Sequence, residues 1–157
     1  MQAIYQKGNY SLLDEGGKET GRLIKEGVFT CKVHIETADG QLNFVKEGFF
    51  SSIKLNRNGR EIGEVKSSWD GIRFKLDWGS RIHEFKVCHK SIWKSTFKLT
   101  NENKEELISI IPQFKWNKLN YDYRIEVNDR QYETNTMVVL LAVYGVRKLL
   151  ERQYAAS

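Results

Sequence analysis

The stretch Asn135–Gln153, NTMVVLLAVYGVRKLLERQ, decides the fold. From Met137 to Val146 it has almost no polar residue, so a helix drawn here is apolar on every face rather than along one stripe, the pattern of a helix surrounded by protein. A membrane span needs roughly 20 apolar residues. This run is about half that length and stops at Arg147 and Lys148, which argues for a core element. Asn135 and Thr136 offer N-cap oxygens, and Arg147, Lys148 and Arg152 place positive charge at the negative end of the helix dipole.

Upstream of the helix the pattern changes to short alternating segments. Phe29, Cys31, Val33, Ile35 and Thr37 alternate with Thr30, Lys32, His34, Glu36 and Ala38, the period of a strand with one buried face. Asp39-Gly40 turns the chain into a return strand, Gln41 to Lys46. Phe49 to Asn56 is followed by Asn58-Gly59, the strongest short hairpin signal, and by Glu61 to Ser67. After Asp70-Gly71, Ile72, Phe74, Leu76 and Trp78 point inward. Phe85 and Val87 do the same on Arg81 to His89, as do Trp93, Ser95, Phe97 and Leu99 on the next strand. A polar loop, Asn101 to Lys104, precedes an apolar strand from Leu107 to Ile111 that ends at Pro112. Tyr121, Tyr123, Ile125 and Val127 alternate before Asn128-Asp129. Residues 1–27 are glycine-spaced, and Tyr10–Leu13 and Leu23–Ile24 read as edge strands.

No strand alternates with a helix, so the chain is mainly β, with antiparallel strands. Such a series leaves unpaired edges that closure into a barrel removes, and a barrel needs a filled interior. The expected architecture is a closed antiparallel barrel of roughly 10–12 strands around a buried C-terminal helix. Residues 1–157 form one domain in this reading, with 28–134 supplying most of the strands and 135–153 the central helix.

Composition supports a single packed domain: 157 residues, 40% hydrophobic, one proline and a net charge of +5. The two cysteines, Cys31 and Cys88, show no paired spacing, and the N-terminus lacks the basic and apolar regions of a signal peptide, which together suggest a cytoplasmic protein. Nucleotide-binding, hydrolase and zinc-ribbon motifs are absent from the sequence, which indicates no catalytic residue, metal ligand set or cofactor. His34 and Glu36 lie two apart on one strand face and are read as a solvated pair. With His83 and His89 they are the first residues to inspect under the alternative reading of an enzyme whose site is assembled from distant parts. Cys31 is read as core.

Most of the excess charge sits between Arg81 and Lys98, where Arg81, Lys86, Lys90, Lys94 and Lys98 face only Glu84. With Phe85 and Val87 inward, Lys86, Lys94 and Lys98 share an outer surface, with Arg81 and Lys90 at its ends. These five form the candidate site for an anionic membrane surface or a protein partner. Nucleic acid is the rival for the same charge, but Trp78 and Trp93 read as inward and not as stacking platforms. A small apolar ligand inside the barrel would compete with the helix for space.

The unit Asn58-Gly59-Arg60-Glu61-Ile62-Gly63-Glu64-Val65 resembles the turn-and-strand unit of tubby C-terminal-like proteins, a superfamily that includes the LURP-one-related and phospholipid-scramblase-like groups. The order that follows is also similar: Trp93 to Leu99, Ile108 to Ile111, Tyr121 to Val127, then the apolar helix. A small bacterial member is the nearest likeness. The resemblance implies a closed barrel around a buried C-terminal helix and a lipid-linked, membrane-peripheral binding role. It carries no binding residue onto this chain, because the family's basic lipid-contacting pair has no match by motif and no calcium-type acidic loop is present.

Overall fold

The computed structural model describes residues 1–27, 32–46, 52–91 and 93–156. The inward assignment of Phe29 and Cys31 and the start of the Phe49 strand lie outside the described residues.

The helix, α1 (Thr136–Ala155), begins where the sequence places it, with the Asn135 side chain accepting from the Val138 N–H at 3.3 Å. Every residue from Met137 to Val146 is buried, together with Leu149 and Leu150. Around it run twelve strands: β1 (Gln2–Gln6), β2 (Asn9–Leu13), β3 (Glu19–Glu26), β4 (Lys32–Thr37), β5 (Gly40–Lys46), β6 (Ile53–Arg57), β7 (Arg60–Ser68), β8 (Gly71–Trp78), β9 (Arg81–Ser91), β10 (Thr96–Thr100), β11 (Glu106–Lys115) and β12 (Asn120–Val127). Each pairs antiparallel with its neighbours in chain order, and β1 pairs with β12 to close the barrel. Inward residues of the strands and the buried face of the helix form one core.

Turn chemistry sets the hairpins. Asn58 and Gly59 both adopt positive φ, +53° and +77°, the geometry that matches strand twist in a two-residue hairpin. Asp129 caps a single 3-10 turn, Arg130–Tyr132, that leads into the helix.

Four expectations are corrected. Residues 1–27 do not form edge strands: they supply β1, β2 and β3, and β1 is the closing strand. Trp93 does not point inward. It sits in the β9–β10 turn, 96% exposed, and Ser95 beside it takes a positive φ that breaks the alternation. β11 does not end at Pro112 but runs to Lys115, because beyond Ile110 it pairs with β12 alone and a proline is tolerated on such a local edge. His34 is buried rather than solvated, covered by Glu26 at 3.1 Å from Nδ1 and Glu36 at 2.9 Å from Nε2.

The helix is held close to the sheet at Gly145, where an added Cβ would lie 2.8 Å from Val87 Cγ2 and 2.9 Å from Val87 Cβ. A β-branched side chain on a strand has little freedom to yield. Gly145→Ala should therefore destabilise the protein by about 1–3 kcal/mol despite gaining about 1 kcal/mol of helix propensity. Chemical denaturation should show Val87→Ala restoring part of that loss in the double variant.

A second core contact joins β2 to β12: the Tyr10 and Tyr123 hydroxyls are 3.2 Å apart and their rings stack at 5.0 Å. Burial pushes the Tyr10 phenol up to about 12 and the Tyr123 phenol higher still. In the unfolded chain both titrate near 10, so the stabilisation is complete below pH 10 and is lost as the pH climbs through 12. Alkaline unfolding should begin above pH 10, and Tyr10→Phe/Tyr123→Phe should move it to higher pH, as followed by phenolate absorbance and circular dichroism.

Candidate functional site

The outer face of β7–β10 forms a groove of about 530 Å³. Strand register, not sequence proximity, assembles it. Lys66 on β7 lies directly opposite Arg73 on β8, and Arg73 directly opposite Lys86 on β9. Three cations thus stand side by side on adjacent strands, where directly opposed residues bring their Cβ atoms within about 5 Å and like charges repel. The neighbouring row, Glu64, Lys75 and Glu84, alternates in sign, and Lys75 reaches Glu84 at 3.6 Å. Lys98 on β10 and Lys104 in the loop after it add two more positive charges to the groove.

Compensation of the like-charged row is incomplete. Asp70, from the β7–β8 turn, serves both Arg73 at 3.5 Å and Lys86 in a close pair. Its hydrogen bonds, with Lys86 first and Ser68 second, hold the carboxyl down at about 2. Glu64 is shared between Lys66 at 3.4 Å and Lys54 at 3.3 Å. Overall, six cations line the groove against the carboxylates of Glu64, Glu84 and Glu102. The groove also contains Cys88, whose thiol burial pushes up even though Lys98 and Lys86 pull it down, so the neutral thiol prevails at neutral pH.

The five basic residues singled out from the sequence separate in space. Lys86 and Lys98 share the groove. Lys94 is in the β9–β10 turn, away from it, and makes no ion pair among the described residues. Lys90 is taken up by Glu106 at 2.7 Å and Ser109 at 3.3 Å, and Arg81 is 3.7 Å from Glu102. Lys66, Arg73, Lys75 and Lys104 carry no signal in the sequence because they lie outside the basic segment, and only the pairing of β7, β8 and β9 brings three of them beside Lys86.

The histidines do not converge. His34 is on β4, while His83 and His89 are six residues apart on β9, roughly 20 Å along the strand. His83 packs between Trp78 and Phe85, and His89 against Phe97. Among the described residues, no three His, Cys, Asp or Glu side chains gather as metal ligands, and no helix is long and apolar enough to cross a membrane.

Fold and groove together define the class: a closed twelve-stranded antiparallel barrel, filled by its C-terminal helix, with a cation-rich outer face. Comparison of the chain with protein-family models, with curated proteins and with solved structures found no match.

Because Asp70 competes for Arg73 and Lys86, Asp70→Asn should raise the affinity of the groove for inorganic phosphate roughly fivefold. Chemical-shift titration of the β8 and β9 amides would measure it.

Proposed function

We propose that this barrel is a non-enzymatic binding module that engages an anionic membrane surface peripherally, through the outer face of β7–β10. The observation that supports this reading is the row Lys66–Arg73–Lys86, three cations in direct register with too few carboxylates to neutralise them. A sheet that keeps like charges opposed loses stability, and an anionic ligand laid across the row would recover it. Lys98 extends the same positive field. The filled interior favours an external ligand over one held in the lumen.

We also read the chain as a tubby-like barrel. Support comes from the Asn58-Gly59 hairpin unit and from the closed barrel around a C-terminal helix, the architecture that the resemblance implies. Phosphoinositide-type headgroups are the natural candidates within this reading, since several phosphates on one ring would span neighbouring strands.

Vesicle co-sedimentation tests the proposal. The natural chain should bind phosphatidylserine-containing vesicles at low salt, bind less at physiological salt, and bind neutral vesicles weakly. Lys66→Gln/Arg73→Gln/Lys98→Gln should lower affinity by about fivefold for each cation removed, roughly a hundredfold in all. Equal binding by the natural chain and the triple variant would refute the assignment to this face.

A further inference from the structure

The two ends of the barrel differ in chemistry. Because the strands run up and down in chain order, the β1–β2, β3–β4, β5–β6, β7–β8, β9–β10 and β11–β12 connections all fall at one end. The C-terminus of α1 reaches the same end: Arg147 donates to the Gly8 carbonyl at 3.0 Å, Arg152 donates to the Ser68 carbonyl at 2.6 Å, and the Tyr154 hydroxyl meets that of Tyr121.

Three consecutive connections at this end each carry a tryptophan: Trp69 is 94% exposed, Trp93 96% and Trp116 81%. Trp116 stands beside Phe114, with ring centroids 5.0 Å apart, and Leu119 in the same turn is 74% exposed. The fourth tryptophan, Trp78, ends β8 at the opposite end and packs against the core. Large apolar side chains held outward on three successive turns are not a consequence of folding, which leaves them in water.

Charge divides the same way. The described residues of the tryptophan-bearing turns and their neighbours include Lys7, Lys94 and Lys118 against Asp70, which is already paired with Lys86 and Arg73, although Lys118 is itself paired with Asp122 at 3.1 Å. Arg147, Lys148 and Arg152 add to them from the helix, against Glu151. The connections at the other end carry Asp14, Glu15, Asp39, Glu102, Glu105, Asp129 and Glu133 against Lys18, Lys104 and Arg130, and no tryptophan.

We infer that the barrel docks end-on, inserting Trp69, Trp93 and Trp116 into the headgroup region of an anionic bilayer. Indole is amphipathic, with a large apolar body and one N–H donor, and it concentrates at the membrane–water boundary. Lysines on the same turns meet the negative surface, while the acidic end is repelled from it, so the charge distribution alone orients the molecule. This inference rests on the membrane partner of the reading above but seats the bilayer on the rim and not on the β7–β10 wall, and it stands on different residues, since none of the three tryptophans lines the groove.

Vesicles with brominated acyl chains quench tryptophans that enter the bilayer. In phosphatidylserine-containing vesicles the natural chain should be strongly quenched, whereas Trp69→Ser/Trp93→Ser/Trp116→Ser, which retains only Trp78, should not. Each ring can bury a large part of its 150–250 Å², so the triple variant should bind at least about a hundredfold more weakly. All three positions are exposed, so the variant should keep the thermal midpoint of the natural chain. Vesicle binding without quenching, equal in both proteins, would overturn the end-on inference and leave the groove reading intact. Quenching that is as strong in neutral vesicles would sustain insertion and remove the anionic reading. No sedimentation of the natural chain with anionic vesicles at low salt would overturn both.

Discussion

An α-helix with no polar face has to be enclosed, and a ring of twelve strands has to be filled. An eight-stranded barrel is just wide enough for its own side chains to pack the lumen, and width grows with strand number. At twelve strands side chains alone leave a void, and α1 occupies it with Met137 to Val146 buried on all sides. The fit is close enough that one position, Gly145, must lack a side chain to pass Val87. Closure by β1 against β12 in turn removes the strand edges that a sheet of this size would expose.

With the lumen filled, the proposed binding role falls to the exterior. What remains is the outer wall and the two rims, and both carry features that packing does not require. On the wall, register sets Lys66, Arg73 and Lys86 against one another while Glu64, Lys75 and Glu84 alternate beside them. The second row is the ordinary solution for a charged strand surface. The first departs from it, and such departures from local consistency are expected where a protein binds something.

Much of the fold is legible in the sequence, for physical reasons. Period-two alternation from Ile72 to Trp78 and from Tyr121 to Val127 reports a sheet with one buried face, and the helix announces its environment by having no polar side. Legibility fails where local signals mislead. The glycines at 16, 17 and 21 obscure β2 and β3, and β1 has one of its two partners, β12, more than a hundred residues away. Trp93 continues an alternation that Ser95 breaks with a left-handed backbone, and Pro112 looks like a strand end although its neighbour β10 has already stopped pairing there. His34 is buried by two glutamates, an event of side-chain packing that spacing does not encode. The candidate site was half visible: Lys86 and Lys98 lie in the basic segment, whereas Lys66 and Arg73 join them only through pairing of β7, β8 and β9.

The seam between β1 and β12 has a kinetic side. Gln2 and Ala3 pair with Arg124 and Tyr123, so the ring cannot close until nearly the whole chain has left the ribosome. The helix that fills the ring follows all twelve strands, so every strand emerges before its core exists. Eleven of the twelve strand pairings join neighbours in the chain and can form as hairpins, but the closing pair, β1 with β12, has to bring the two far edges of the sheet together, and such loop closure precedes the contacts that reward it. A sheet that has formed its hairpins but not this seam has two unpaired edges, and such edges invite self-association. Those edges are therefore covered only at the last step, when β12 meets β1 and the helix that follows it fills the ring.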